Sequence, residues 1–132
     1  MTRSWSITDL KVHYDIRGDL YEVLRFKTQK IPSGGQLYAY TINPGTRRGD
    51  HFHLKKSEWL TCVSGSVNLF MKTKKGKFIN KILDASSPRL AYIGPGTSHA
   101  LENVSKEMAV IIAYSSKELD NENPDTYSDT TI

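Results

Sequence analysis

Short runs of β-favouring residues, interrupted at close intervals by glycine and proline, are the feature that most restricts the fold of this chain. The interruptions are Gly18, Gly34 with Gly35, Pro44 with Gly45, Gly65, Gly76, and Gly94 to Gly96. Because these residues favour turns and no stretch has a long helical period, the pattern predicts an all-β sandwich or barrel. A closed barrel would remove exposed strand edges and create a pocket lined by inward-facing side chains.

Length and composition fit a single domain. The chain has 132 residues, 38% of them hydrophobic, which is enough for one core. We expect one domain over residues 1–132, with a core at about 12–116 and a less regular polar tail at 117–132. The predicted strands are Lys11–Ile16, Asp19–Phe26, Gln36–Asn43, Glu58–Val63, Ser66–Lys72, Lys77–Leu83, Leu90–Ile93 and Met108–Tyr114.

Several classes of protein are disfavoured. The first residues lack the apolar run of a signal peptide, and no stretch approaches the roughly 20 apolar residues of a membrane span. We therefore expect a cytoplasmic protein that does not enter membranes. Cys62 is the single cysteine and lies in an apolar stretch, so we expect a buried thiol without a disulfide.

The net charge of +4 is compatible with an anionic partner but does not identify one. The densest basic run, Lys72 to Lys77, contains Gly76 and no aromatic residue, so it predicts a solvated turn and not a nucleic-acid surface. Five cations expected nearer to the proposed site, which is described below, are better candidates for holding phosphate groups. These are Arg17, Arg47, Arg48, Lys55 and Lys56.

A group of histidines and one glutamate gives the best clue to function. His51, His53 and Glu58 lie close together in the sequence, and His99 follows downstream. Imidazoles with a carboxylate form a ligand set suited to divalent zinc, iron, manganese, nickel or copper. The other interpretation is that these are surface or hydrogen-bonded histidines that hold no metal.

The spacing allows a shared site. His51 and His53 would lie on one face of a strand, with α-carbons roughly 7 Å apart. If Leu54 to Ser57 form a turn, Glu58 opens the next strand and can reach back toward the histidines. His99 would have to come from a distant strand, as a barrel permits.

These residues resemble the first motif of the cupin superfamily, a double-stranded β-helix or jelly-roll barrel. Gly45, His51, His53, Glu58 and Gly65 satisfy its pattern G(X)5HXH(X)3-4E(X)6G in full. The second motif, G(X)5PXG(X)2H(X)3N, is met only in part. It is matched at Gly96, His99 and Asn103, whereas Gly94 stands at its proline position and Pro88 at its first glycine.

Two outer segments narrow the resemblance to nucleotide-sugar enzymes. Residues 15–22 resemble the D-x-R-G-x-[FL]-x-E opening of deoxysugar 3,5-epimerases and 3,4-ketoisomerases. Residues 120–127 resemble the end of the C-terminal cupin domain of bifunctional capsular-polysaccharide enzymes that make N-acetylfucosamine nucleotides. The similarity covers residues 12–127 and implies a zinc site. It does not extend to the reductase domain of those enzymes, so we expect only the epimerisation-like half-reaction.

The resemblance implies epimerisation of a 4-keto-6-deoxy nucleotide sugar, with a nucleotide-diphosphate sugar as partner and a homodimer as assembly. Arg17 and Glu22 would hold the nucleotide diphosphate, and Arg48 and Lys56 would border the sugar. A stabilised enediolate lets a proton leave the carbon next to the ketone.

The proton-transfer residue stays open at this stage. In metal-free relatives the histidine equivalent to His51 is the base, but a metal-bound His51 has no free lone pair. The remaining candidates are Lys56, Tyr38, Tyr40 and Tyr114.

Three other functions remain open for this chain. They are 3,4-ketoisomerisation of the same substrate class, an iron-dependent cupin dioxygenase, and a noncatalytic sugar-binding cupin with a structural metal.

Overall fold

The computed structural model describes residues 3–131, which form twelve β-strands and no helix. The strands are β1 Trp5–Asp9, β2 His13–Asp15, β3 Gly18–Leu20, β4 Gln36–Ile42, β5 Arg47–Phe52, β6 Glu58–Ser64, β7 Ser66–Lys72, β8 Phe78–Asp84, β9 Arg89–Ile93, β10 Ser98–Glu102, β11 Ala109–Ser115 and β12 Tyr127–Ser128. In this part of the chain no helix could therefore cross a membrane.

The strands form two five-stranded antiparallel sheets and one small hairpin. The first sheet has the order β1-β9-β6-β11-β4, and the second has the order β12-β5-β10-β7-β8. The hairpin pairs β2 with β3. Because consecutive strands pass between the sheets, the chain builds a jelly-roll barrel, which confirms the predicted all-β cupin fold.

The core lies between the two five-stranded sheets. Strand β7 shows the alternation clearly, since Val67, Leu69 and Met71 are buried while the residues between them are partly exposed. Each such buried side chain contributes about 1.5–3 kcal/mol of hydrophobic stabilisation. The other core residues are Ile42, Leu60, Cys62, Ile79, Leu83, Ala91, Ile93, Leu101, Ala109, Ile111 and Ala113.

Two local predictions are confirmed. The basic run forms the turn between β7 and β8, where the Gly76 N–H donates to the Thr73 carbonyl at 2.8 Å and Gly76 has a φ of +84°. A left-handed φ of this kind favours glycine. Cys62 is a free, buried thiol, and burial raises its pKa.

One predicted strand was wrong over most of its length. Of the predicted strand Asp19–Phe26, only Asp19 and Leu20 lie in a strand, β3, because no strand of the described chain pairs with the segment that follows them. The two sheets also include strands outside the expected core of 12–116. Strand β1 joins the first sheet through β9, and β12 joins the second through β5.

Candidate metal centre

Strands from both sheets bring four predicted ligands together. His51 lies near the end of β5 and pairs directly with His99 at the start of β10. His53 follows β5, and Glu58 begins β6 in the opposite sheet. Glu58 shares the inward face of β6 with Leu60 and Cys62, as the two-residue period predicted.

A local irregularity before His51 sets the approach of β5 to β10. Gly49 and Asp50 have φ values of +107° and +58°, and the register shifts opposite them between His99 and Ala100. A β-carbon on Gly49 would lie 2.7 Å from the His99 carbonyl oxygen, so only glycine fits without displacement. Asp50 tolerates the left-handed backbone, and its carboxylate is held by Arg47 at 2.8 and 2.9 Å.

The four side chains are arranged around one point. Their candidate ligand atoms all lie within 4.8 Å of one another. The three imidazole centroids are separated by 4.9, 5.0 and 5.5 Å, so the rings form a nearly equilateral triangle. His53, Glu58 and His99 are only 6%, 6% and 3% exposed, whereas His51 is partly exposed.

The hydrogen bonds of His53 fit a bound cation. Its Nδ1 lies 2.5 Å from the Asp125 carbonyl oxygen, which can only accept, so Nδ1 carries the proton. In a neutral ring Nε2 then presents a lone pair to Glu58 Oε1, which is also an acceptor, at 2.5 Å. Two lone pairs this close repel each other unless a positive charge lies beside them.

His99 repeats this arrangement. Its Nδ1 lies 3.1 Å from the Thr97 carbonyl oxygen, and its Nε2 lies 3.5 Å from the same Glu58 oxygen. Glu58 Oε1 is buried and has no hydrogen-bond donor among the described residues. A second imidazole oriented by a carbonyl and a buried, unpaired carboxylate oxygen fit the ligand set of a divalent metal ion.

A cavity of about 330 Å³ opens beside this cluster. Its size is at the lower end of the range for small-molecule sites. It is lined by Tyr38, Tyr40, Arg48, Gly49, His51, Glu58, His99 and Leu101. The Tyr38 hydroxyl donates to Glu58 Oε2 at 2.6 Å, and the Arg48 guanidinium lies 5.7 Å from the centroid of the Tyr40 ring. Arg48 also donates from Nε to the Thr41 carbonyl at 2.9 Å, which fixes its orientation.

Burial and neighbouring charges shift the pKa values of these groups. Burial, together with the other two imidazoles, lowers the pKa of His51 to about 4, so this ring is neutral at pH 7. Burial raises the pKa of Glu58, but the adjacent His53 and His99 outweigh this and hold it well below its usual value. Burial and the Glu58 charge raise the pKa values of Tyr38 and Tyr40, so both are phenols.

The structure does not bring every predicted site residue to this cavity. Arg17 is exposed and paired with Asp15 at 2.6 Å, and Glu22 is exposed and paired with Arg25 at 3.3 Å. Lys56 does not line the cavity, although its charge contributes to the lowered pKa of His51.

Tyr114, another candidate from the sequence, does not line this cavity. Its hydroxyl donates to the Pro32 carbonyl and accepts from the Gly35 N–H at 2.9 Å, and its ring packs against Trp59. Trp59 alternates with Glu58 along β6, so Tyr114 lies on the outer face of that sheet.

One residue of the site was missed from the sequence. Asp125 supplies the carbonyl beside His53, and its carboxylate accepts the backbone N–H groups of residues 54, 55 and 56. These contacts join positions about seventy residues apart, and a polar segment with one proline carries no local signal for them.

The sequence matches a known protein family over most of its length. The family model described as the polysaccharide biosynthesis C-terminal domain matches residues 13–127. A curated relative is the UDP-2-acetamido-2,6-beta-L-arabino-hexul-4-ose reductase of Pseudomonas aeruginosa, which is 30% identical over 121 residues. The alignment covers 91% of this chain but only 31% of that protein.

Solved structures agree with this assignment. The capsular polysaccharide assembling protein CapF of Staphylococcus aureus is 25% identical and superposes with a TM-score of 0.71, over 92% of this chain and 34% of CapF. The chain thus spans about a third of the length of these relatives.

More distant neighbours share the fold alone. The 3'-monoepimerase ChmJ of Streptomyces bikiniensis is 16% identical, with a TM-score of 0.82 over 95% of this chain and 69% of ChmJ. The epimerase RmlC of Legionella pneumophila is 20% identical, with a TM-score of 0.80 over 95% of this chain and 72% of RmlC. The fold is therefore the cupin barrel of RmlC-type proteins, and the chain belongs to the polysaccharide biosynthesis C-terminal domain family.

Proposed function

We propose that this chain is an isomerase that epimerises a 4-keto-6-deoxy nucleotide sugar at C3. The observation that carries the proposal is a cavity in which three members of the histidine and glutamate cluster face two tyrosines and an arginine. The three members are His51, Glu58 and His99. The names of proteins with this fold support it. ChmJ is described as a 3'-monoepimerase, and the Legionella RmlC was solved with dTDP-4-keto-L-rhamnose.

The reaction needs a way to hold negative charge next to the ketone. Loss of the C3 proton leaves an enediolate, and return of a proton to the opposite face inverts C3. We propose that His51, His53, Glu58 and His99 hold a divalent metal, with zinc favoured by this ligand set. When bound, such an ion supplies Lewis-acid stabilisation of the enediolate oxygen.

Inversion also requires proton-transfer groups on opposite walls of the cavity. Tyr38 and Tyr40 come from β4 in the first sheet, whereas Arg48 and His51 come from β5 in the second. The protonated Tyr38 hydroxyl is the proposed proton donor, and Tyr40 is the second candidate on the same wall. Lys56 remains a candidate base, a role that only its neutral amine form could fill, although it does not line the cavity in one copy.

His51 has two candidate roles. As a metal ligand it completes the triangle of imidazoles. As a base it would use the neutral ring that lines the cavity, with His53, Glu58 and His99 alone as ligands. The variant His51→Asn separates the roles: a ligand role predicts that both Co²⁺ binding and proton exchange are lost, and a base role predicts that exchange alone is lost.

Substrate contacts follow from the charges around the cavity. Arg48 is proposed to contact the sugar or the adjacent phosphate, because its guanidinium lines the cavity beside Tyr40. Arg17 and Glu22 lie on or next to the β2–β3 hairpin, which exposes the apolar side chains of Tyr14, Ile16 and Leu20. We propose that this hairpin packs on a second copy in a homodimer, where both residues hold the nucleotide diphosphate.

Solvent exchange tests the proposal directly. The metal-loaded protein is incubated in D₂O with a panel of 4-keto-6-deoxy nucleotide sugars, and the sugars are read by mass spectrometry and NMR. The expected result is one deuterium at C3 with partial inversion of that centre. Movement of the carbonyl to C3 would identify a ketoisomerase instead, and absence of exchange throughout the panel would contradict both.

A further inference from the structure

The C-terminal segment from Asp125 to Thr131 closes over the strand that carries His51. Strand β12 pairs with β5, with Tyr127 opposite Phe52 and Ser128 opposite His51. The aromatic rings of Tyr127 and Phe52 stack with their centroids 5.4 Å apart. The Asp129 N–H also donates to the Asp50 carbonyl at 2.9 Å, so backbone pairing continues past the strand.

Asp125 is the point where this segment reaches a candidate metal ligand. Its backbone carbonyl lies 2.5 Å from Nδ1 of His53. Its carboxylate accepts the N–H groups of Leu54 at 2.9 Å, Lys55 at 2.7 Å and Lys56 at 3.1 Å. One residue therefore fixes both the imidazole and the loop that connects His53 to Glu58.

The chemistry of these contacts gives Asp125 a specific task. A carbonyl that accepts from Nδ1 selects the tautomer whose Nε2 lone pair faces Glu58 Oε1, as a metal ligand requires. Three successive N–H groups that converge on one carboxylate form a rigid loop, because charge-assisted hydrogen bonds are stronger than neutral ones. If the carboxylate is lost, the loop is no longer bonded to Asp125, and the Asp125 carbonyl is no longer held in position beside Nδ1 of His53.

We propose that Asp125 is a positioning residue of the metal centre, which acts through His53 and sets the affinity of the site for divalent metal. The proposal rests on the proposed metal centre and is independent of the reaction catalysed there. Partners of metal-ligating histidines typically change metal affinity by about 10- to 100-fold when they are removed.

The segment also supplies a matched control. Asp129 is held by Lys72 at 3.0 Å, and this ion pair ties the same segment to β7 without contacting a candidate ligand. Asp129→Ala therefore weakens attachment of the segment but leaves the His53 contact in place. Asp125→Asn keeps one acceptor oxygen and is the conservative variant.

Titration with Co²⁺ tests the proposal in the full chain, with the visible absorption spectrum as a readout of ligand geometry and Zn²⁺ competition as a readout of affinity. Asp125→Ala is expected to bind Co²⁺ about 10- to 100-fold more weakly and with an altered spectrum. Asp125→Asn should be intermediate, and Asp129→Ala should match the unmodified chain.

The outcomes separate this proposal from the metal centre itself. If the unmodified chain does not bind Co²⁺, the metal centre is wrong and the role of Asp125 is wrong with it. If the unmodified chain binds and Asp125→Ala binds equally well with the same spectrum, only the role of Asp125 is overturned. Equal losses in Asp125→Ala and Asp129→Ala would also overturn it, since attachment of the segment alone would then explain the effect.

Discussion

The Tyr38 hydroxyl donates a 2.6 Å hydrogen bond to Oε2 of Glu58, the carboxylate whose other oxygen faces the imidazoles of His53 and His99. Glu58 is thus held from two sides, by a phenol on the cavity wall and by the histidine cluster. The bond links a candidate ligand to a group that can reach a substrate in the cavity. Loss of this hydrogen bond can be measured separately as a change in metal affinity and as a change in the rate of proton exchange.

Tyr38→Phe removes the proposed proton donor and one hydrogen bond to a buried carboxylate. Hydrogen bonds to charged groups contribute about 1.5–3 kcal/mol, so we expect weaker Co²⁺ binding by about tenfold or more. Proton exchange into the sugar should fall by a larger factor if the hydroxyl also donates the proton, since general acid–base catalysis contributes about 10²–10⁴-fold.

The matched control for this prediction is Tyr92→Phe. The Tyr92 hydroxyl contacts Ser57 Oγ at 3.0 Å and does not line the cavity, so its loss should leave exchange unchanged. Exchange by Tyr38→Phe at the rate of the unmodified protein, measured with saturating Co²⁺, would remove Tyr38 from the mechanism.

Removal of the metal should lower thermal stability. A ligand that binds only the folded state at 100 times its dissociation constant adds about 2.7 kcal/mol, which corresponds to about 10 °C in Tm for a chain of this size. The measurement is thermal unfolding with EDTA and again after excess Zn²⁺ is restored. His13, the histidine on the exposed β2 strand, supplies the control, because His13→Ala should keep the full Zn²⁺-dependent shift.

Gly49→Ala should damage the fold and the metal centre together. The added β-carbon would meet the His99 carbonyl oxygen at 2.7 Å, and the φ of +107° is itself unfavourable for alanine. We expect the free energy of unfolding to fall by more than about 1 kcal/mol and Co²⁺ binding to weaken because His99 is displaced. Chemical denaturation and Co²⁺ titration check the two effects.

Gly34→Ala is the comparison for that variant. Its added β-carbon would have no neighbour within 4 Å, so stability and Co²⁺ affinity should both stay close to those of the unmodified chain. Gly49→Ala with unchanged Co²⁺ affinity would mean that the irregularity in β5 does not position His99.

Strands were predicted well where the sequence itself alternates between residues that become buried and residues that stay partly exposed. Strand β7 was predicted at Ser66–Lys72 and has those bounds, because Val67, Leu69 and Met71 alternate with polar or partly exposed residues. Three candidate ligands were also found from spacing, since an inward period of two residues places Glu58 on the core face of β6, within reach of His51 and His53. In these cases the local sequence pattern and the barrel fold favour the same conformation. His99 was instead found from its match to the second cupin motif.

What was missed depends on distant backbone contacts. Strand β12 has only two residues, and both are exposed, so their pairing with β5 leaves no hydrophobic signal. The segment after Leu20 contains β-favouring residues such as Tyr21 and Val23, yet no strand pairs with it in the described chain. Propensity alone could not reveal that a pairing partner was absent.

The position of Arg17 leads to the last prediction. It lies in the exposed hairpin region and is paired with Asp15, so within one copy it does not reach the cavity beside Glu58. If a homodimer places it in the site of the partner, Arg17→Ala should raise the KM for the nucleotide sugar and leave kcat nearly unchanged, because uniform binding is lost. Lys75→Ala, in the β7–β8 turn, should change neither.

A hybrid of two defective copies decides whether the site is shared. Arg17→Ala and Glu58→Gln chains are coexpressed with different tags, and dimers that carry both tags are purified. Activity is measured with the nucleotide sugar well below its KM, where the Arg17→Ala defect lowers the rate. A shared site predicts that the hybrid regains activity at one of its two sites, because an intact Glu58 in one copy then meets an intact Arg17 from the other. If both residues serve the same copy, each site in the hybrid keeps one defect and activity is not restored. A monomer by sedimentation at working concentration would contradict the shared site before any hybrid is made.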